Sequence, residues 1–208
     1  MNENVKKPRG EDTADEMNSD PIDRFRGLLA QASQLGIVPH NAAALATTGK
    51  DLQPSVRMVL LKDVDHRGLV FYTNLESRKG RQLRDNRRAA ACFWWPQLRE
   101  QVRFEGTVAL VSKPEADEYF ASRPRGGQIG AWASRQSTEL SAREDLIAAA
   151  ASFSAQYKDR AVPRPPYWSG YRLSPERLEF WREEPDRLHH RELYLRQADG
   201  WKITLLAP

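Results

Sequence analysis

Apolar residues recur at helical spacing after Asp20-Pro21: Phe25, Leu28, Leu29 and Ala32 share a face, and Gly36 follows as a stop signal. An acid before a proline supplies a capping oxygen and then a residue with no N–H to satisfy, so a helix is predicted to begin there. From Ala42 the apolar period shortens to two. Strands are predicted over Ala42–Thr47, Ser55–Lys62 and Gly68–Thr73, divided by the turn signals Gly49-Lys50-Asp51 and Asp65-His66-Arg67-Gly68. Ser77 caps a short polar helix running to about Asn86, and strands Ala89–Trp95 and Gln101–Val111 follow. Lys113-Pro114-Glu115 opens a helix carrying Ala116, Tyr119 and Phe120; Gly126–Ser134 reads as a short helix and Ser141–Tyr157 as a longer, Ala-rich one. Beyond a rigid proline-rich connector, Val162–Pro166, strands return at Tyr167–Leu173, Arg177–Trp181, Glu192–Arg196 and Trp201–Leu205. Strands at both ends with helices inserted between predict a single α+β domain over residues 20–208, built on an antiparallel barrel. Met1–Ser19, charged and with Val5 as its one branched apolar residue, reads as a flexible N-terminal arm.

Composition narrows the class. The chain has 208 residues, 40% hydrophobic and 29% charged, enough to bury a core without staples. Its single cysteine, Cys92, excludes an internal disulfide framework and a multi-cysteine metal site. No apolar run reaches membrane-spanning length and the N-terminus has no hydrophobic signal core, so a soluble cytoplasmic protein without membrane partners is expected. Lysine and arginine number 32 against 28 acids, a net charge of +4, which is weak ground for nucleic-acid binding. The basic residues cluster with Ser, Thr, Gln and aromatic residues at separate places, a pattern that fits several small phosphate pockets better than one stripe.

Four segments carry candidate chemistry. Ser77-Arg78-Lys79-Gly80-Arg81 sets two cations at a capped helix start, where free N–H groups favour an anion, although such a run is more commonly a solvated face. Arg57-Met58-Val59-Leu60-Leu61-Lys62 is an apolar strand bracketed by cations. Alternation puts Arg57 and Lys62 on opposite faces, so one shared ligand requires a bulge or a ligand that wraps the strand; a core strand with solvated ends is the alternative. The stretch Tyr119 to Ser137 is dense in Arg, Gly, Gln and Ser, and Tyr119 and Arg123, four apart on a helix, can converge on a phosphate. In Phe180 to Arg191, an extended chain would point Arg187, His189 and Arg191 the same way, as a metal-free cationic pocket or an exposed strand. No P-loop, dinucleotide fingerprint or nucleophile elbow is present.

Arg123-Pro124-Arg125-Gly126-Gly127-Gln128-Ile129-Gly130-Ala131-Trp132-Ala133-Ser134-Arg135-Gln136-Ser137, then Glu179-Phe180-Trp181 and Arg187-Leu188-His189-His190-Arg191, closely resemble the pyridoxine 5'-phosphate oxidase family. The resemblance extends to Arg57–Lys62, Phe71–Asn74, Ser77–Lys79 and the closing Trp201-Lys202-Ile203 and Leu206-Ala207-Pro208, and covers nearly everything from Asp20 onward. It implies an FMN-binding split β-barrel with peripheral helices, working as a homodimer with flavin between the subunits. Arg57, Met58, Val59, Leu60, Leu61 and Lys62 would line the flavin, some through their backbone. Tyr72, Thr73, Arg78 and Lys79 would join them, the last two near its phosphate. Gln101, Gln136, Ser137, Trp181 and Arg191 also match flavin contacts. Lys62, Tyr119, Arg123 and Gly127 match the grip on the substrate phosphate, and Arg187 and His189 the catalytic residues over a pyridine ring. The implied reaction oxidises pyridoxine or pyridoxamine 5'-phosphate to pyridoxal 5'-phosphate, with O2 as acceptor and H2O2 released. The chain departs from the family at Gly127, where a serine is usual, at Val38-Pro39-His40, at Arg182-Glu183 and in the N-terminal arm. Alternatives are an FMN oxidase of another aromatic metabolite, of the phenazine-pathway type, a non-catalytic flavin or pyridoxal-phosphate carrier, and a nucleic-acid binder using Arg78–Arg88.

Overall fold

The computed structural model describes residues 20–208; the arm expected over residues 1–19 lies outside the described residues. Helix α1 (Pro21–Gln34) starts as predicted, with the Asp20 carboxylate accepting from the Ile22 N–H at 2.7 Å. The chain then forms β1 (Ala42–Thr48), β2 (Pro54–Leu60), β3 (Asp63–Asp65) and β4 (Gly68–Asn74), followed by α2 (Arg78–Asp85) capped by Ser77. Next come β5 (Arg88–Trp95), β6 (Glu100–Leu110), α3 (Lys113–Ser122), α4 (Arg125–Ala133) and α5 (Arg143–Gln156). The C-terminal part holds β7 (Trp168–Arg182), a 3-10 turn (Pro185–Arg187), β8 (His190–Gln197) and β9 (Gly200–Leu205).

The strands form one antiparallel sheet in the order β2-β1-β5-β6-β7-β4-β3, with β8 and β9 branching from β7. This is the expected α+β split barrel, and β7 produces the split. Its first half, Trp168–Leu173, pairs with β4, while its second half, Arg177–Arg182, pairs with β8; β6 runs along the other edge of both. The sequence predicts two strands here, but the structure has one, because Ser174-Pro175-Glu176 is taken up as an irregularity opposite Glu105 and Gly106 rather than as a turn. Only glycine fits at 106: an added Cβ would lie 2.1 Å from the Ser174 carbonyl oxygen. The three-residue β3 escaped prediction because Asp63-Val64-Asp65 is too short and acidic for a period to register.

Inside the barrel, Leu45, Phe93, Val102, Phe104, Leu178 and Phe180 are buried with α1 packed over them. Phe25 of α1 is the plug, its ring centroid 4.9 Å from Phe93 and 4.8 Å from Phe104. Burial of one such ring stabilises the fold by about 1.5–3 kcal/mol. A second apolar cluster, Phe120, Ile129, Tyr157, Val162 and Trp168, joins α3, α4 and α5 to the start of β7. It holds these helices over the outer face of β4 and β7, beside the main cleft.

Candidate active site

At Leu61 and Lys62 the chain crosses from one side of the barrel to the other. Leu61 N–H donates to Asn41 O and Lys62 N–H to Val70 O, both at 2.8 Å, so β2 ends at Leu60, while the in-and-out alternation carries on through Lys62 and leaves Arg57 and Lys62 on opposite faces as expected. Leu61 turns into the core, whereas Met58, Val59, Leu60 and Lys62 line a cleft of about 640 Å3. Tyr72, Thr73, Lys79, Tyr119, Arg123, Gly127 and Gln136 line the same cleft. Residues from five separate stretches of chain therefore meet at one cleft.

Among the described residues three cations, Lys62, Lys79 and Arg123, line the cleft, and no Asp or Glu does. Lys79 Nζ donates to Thr73 Oγ1 at 3.1 Å and to Gln136 Oε1 at 2.7 Å, both neutral groups. Burial, together with the Arg57 charge, pushes its ammonium down to about 8. Arg123 follows the last turn of α3 rather than sitting within it, and its guanidinium lies 4.8 Å over the Trp168 ring. Its Nη1 is buried without a hydrogen-bond partner among the described residues, and burial lowers its pKa. Cations partly stripped of water and facing no carboxylate form a site for an anion. Between these groups Tyr72 stacks on Tyr119 at 4.0 Å and on Trp168 at 5.2 Å. The stack needs Gly170, where a Cβ would stand 2.8 Å from the Tyr72 ring. Burial, reinforced by the Glu115 charge, pushes the Tyr72 hydroxyl up to about 12.

Arg57 does not line the cleft. Its guanidinium is turned into a polar pocket, donating to Leu45 O at 2.9 Å, Thr47 Oγ1 at 2.6 Å and Ser55 Oγ at 2.5 Å, with Gln82 Oε1 at 3.3 Å. Burial and the Arg78 charge lower its pKa, and its own charge reaches the cleft at Lys79. Arg78 is exposed on the first turn of α2, and Ser137, exposed with φ 69°, follows Gln136.

The remaining expected residues form a second group. Gln101 accepts from the Cys92 thiol, with 3.4 Å between Sγ and Oε1, and Trp181 packs edge-on against Trp94 at 5.8 Å. Arg191 Nε donates to Glu179 Oε1 at 2.9 Å and Nη1 to Ala207 O at 2.9 Å. Glu179 also pairs with Arg103; burial alone would raise its pKa, but the bonds from Arg191 and Arg103 outweigh this and lower it. The extended run predicted for Arg187, His189 and Arg191 is corrected. Asp186 and Arg187 take left-handed φ values of 55° and 62° in a tight turn, so side-chain alternation does not apply. His189 instead packs on Trp181, ring centroids 4.5 Å apart, and its Nδ1 accepts from the Glu184 N–H at 3.2 Å. In the neutral ring the proton then sits on Nε2, leaving that atom as a donor. Arg187 is exposed. None of this second group lines the cleft.

Sequence reasoning missed Trp168, Asn74 and Ser134 in the cleft wall. Trp168 lies 49 residues beyond Tyr119 in the chain, and no local pattern announces that the two rings stack. Among the described residues no cluster of His, Cys, Asp or Glu could hold a metal, and no helix is long and apolar enough to cross a membrane.

Comparison with known proteins bears on both groups. Residues 29–182 match the family model described as pyridoxamine 5'-phosphate oxidase, and residues 168–208 match the pyridoxine 5'-phosphate oxidase C-terminal dimerisation region. The chain is 53% identical over 189 residues to a pyridoxine/pyridoxamine 5'-phosphate oxidase of Myxococcus xanthus strain DK1622, covering 91% of this chain and 92% of that one. It is 48% identical over 198 residues to the oxidase of that name from Rubrobacter xylanophilus, covering 95% and 90%. Among solved structures it resembles PhzG from Burkholderia lata 383, in complex with tetrahydrophenazine-1-carboxylic acid, with TM-score 0.88, 36% identity and coverage of 93% and 95%. The chain belongs to the pyridoxamine 5'-phosphate oxidase family and is an enzyme of that family.

Proposed function

We propose that the protein is an FMN-dependent oxidase that converts pyridoxine 5'-phosphate or pyridoxamine 5'-phosphate to pyridoxal 5'-phosphate, with O2 as acceptor and H2O2 as by-product. The observation that carries this reading is the acid-free cleft, whose cations Lys79 and Arg123 are joined by a stack of aromatic rings. Its residues fit a flavin phosphate: Lys79, beside Thr73 and Gln136 and in the field of Arg57, is a desolvated cation with no acidic residue of the described chain lining the cleft beside it. They also fit a second phosphate, since Arg123 keeps an unpartnered Nη1 next to Tyr119 and Gly127.

When bound, FMN supplies a two-electron acceptor that takes hydride from the substrate C4' carbon and is reoxidised by O2. The chain's own residues bind and orient. Lys62, Tyr119 and Arg123 hold the substrate phosphate, fixing the pyridine ring relative to the flavin. Arg187 closes over the ring and stabilises negative charge on it, and His189, donating from Nε2, orients the substrate or exchanges a proton with it.

Arg187, His189, Gln101, Trp181 and Arg191 stand outside the cleft lined by Lys62, Tyr72, Lys79, Tyr119 and Arg123, so completing one site calls for a second copy of the chain. A homodimer meets this, and residues 168–208, matching a dimerisation region, contain four of the five. The exposed apolar strip Val56, Met58 and Leu60 on the edge strand β2 gives such a dimer a face to cover.

A second reading, oxidation of a reduced aromatic carboxylate, is favoured by the similarity to PhzG. The two separate on one assay: peroxide release with pyridoxine 5'-phosphate against release with a reduced phenazine carboxylate, after identifying the chromophore set free on denaturation. FMN, together with peroxide from the phosphate ester, is the expected result. Release of FAD, or turnover of the carboxylate alone, overturns the proposal.

A further inference from the structure

Arg172 stands in the middle of β7, and its side chain is 10% exposed. Its guanidinium spans two elements that flank the cleft. Nη1 donates to Asp65 Oδ1 of β3 at 2.8 Å, and Nη2 to Glu115 Oε1 in the first turn of α3 at 3.0 Å. On the hairpin side Asp65 is held further by Arg67, through its N–H at 2.8 Å and its side chain at 2.9 and 2.6 Å. Lys62 precedes Asp65 by three residues and is tied to Val70, which pairs with both Asp63 and Arg172. On the helix side, Tyr119 and Arg123 follow Glu115 by one and two turns. The start of α3 also rests on the sheet through a small cluster, Ala116 against Val70 and Val111, and its Asp117 pairs at 2.6 Å with Arg164, which donates in turn to Trp168 O of β7. Arg172 itself does not line the cleft.

We infer that Arg172 is a positioning residue: with Asp65 and Glu115 it fixes the spacing of Lys62 against Tyr119 and Arg123, and thereby gives the enzyme its preference for a phosphate ester over the free alcohol. The inference rests on the reading of these three residues as the substrate-phosphate grip. A dianion is bound well only when its cations and donors stand at fixed separation, and the planar guanidinium fork, bonded at both ends, sets such a separation as a flexible ammonium cannot. Ring stacking against the flavin does not depend on it.

The test uses an unreactive ligand pair, 4-deoxypyridoxine 5'-phosphate and 4-deoxypyridoxine, which have no C4' hydroxyl to oxidise. Their dissociation constants are measured on FMN-loaded wild type, Arg172→Met, Arg172→Lys and Glu115→Ala, alongside flavin content and Tm. Glu115 is partly exposed, and its removal leaves Arg172 paired with Asp65, so that variant strands no buried charge. The expected result is that affinity for the phosphate ester falls about tenfold in Glu115→Ala and Arg172→Met while that for the alcohol holds, so their ratio collapses. Arg172→Lys, able to reach one acid but not both, falls between. In turnover, KM rises more than kcat falls. A lowered Tm with the wild-type ratio retained means Arg172 only supports the fold, and overturns the inference. A wild type that shows no preference for the ester overturns the reading of the grip instead.

Discussion

Flavin binding is expected to weaken as pH rises through 8, and the cause is one side chain. In the ligand-free cleft, burial and the Arg57 charge hold the Lys79 ammonium down at about 8, against an ordinary value near 10.5. A phosphate dianion beside Nζ restores the charged form, so above pH 8 each binding event takes up a proton. If only the charged form binds well, the apparent dissociation constant scales with the inverse of the charged fraction and rises about tenfold between pH 7 and pH 9. The linkage has the matching sign in stability. Between the folded and unfolded values the unfolded chain binds the extra proton, so Lys79 makes the flavin-free fold gain stability as pH rises through that window, while the loaded protein loses its ligand advantage. The assay is titration of flavin-free protein with FMN, followed by quenching of flavin fluorescence, from pH 7 to 9. Lys79→Arg, charged throughout, should give a flat profile. A flat profile in the wild type, or the same slope in Lys79→Arg, would refute the assignment of Lys79 to the phosphate.

Gly127→Ser should tighten binding of pyridoxal 5'-phosphate about tenfold, as a hydrogen bond to a charged group contributes roughly 1.5–3 kcal/mol. The new Cβ meets the Arg123 Nη2 at 3.3 Å, the movable end of a side chain, and equal or weaker binding in a folded, FMN-loaded variant would defeat the idea. Arg187→Ala should keep its flavin but slow single-turnover flavin reduction about a hundredfold; a wild-type rate removes Arg187 from the mechanism. Mixing unfolded Arg123→Ala and Arg187→Ala chains and refolding them together should restore about a quarter of wild-type activity, because half the dimers are mixed and each of those carries one intact site. No recovery in confirmed mixed dimers excludes composite sites.

Local chemistry was legible in the sequence, and long-range geometry was not. Asp20-Pro21, Ser77 and Lys113-Pro114 announced helix starts because a cap is a contact between near neighbours, and the structure has each where expected. The alternating strands were visible, but the single strand β7 was not, since Ser174-Pro175 is a turn signal that pairing with β6 overrides. At the site, alternation along β2 already put Arg57 on the face opposite Lys62, yet it could not name Gln82, 25 residues away, as the partner that Arg57 meets there. The turn at Asp186 and Arg187 escaped because nothing in Pro185-Asp186-Arg187 demands two left-handed residues in succession. Arg172 escaped for the opposite reason: it reads as one polar position in a strand, and its importance lies in two acids 107 and 57 residues away.

The central claim is that this cleft brings a phosphorylated pyridine alcohol or amine to a bound flavin for oxidation. Mixing the purified, FMN-loaded protein with pyridoxine 5'-phosphate in the absence of oxygen tests it most directly. The flavin absorbance is expected to bleach in a single turnover, with pyridoxal 5'-phosphate formed in equal amount and the colour returning on admitting air. An unbleached flavin in protein that demonstrably binds the ester would contradict it and leave a carrier in place of an oxidase.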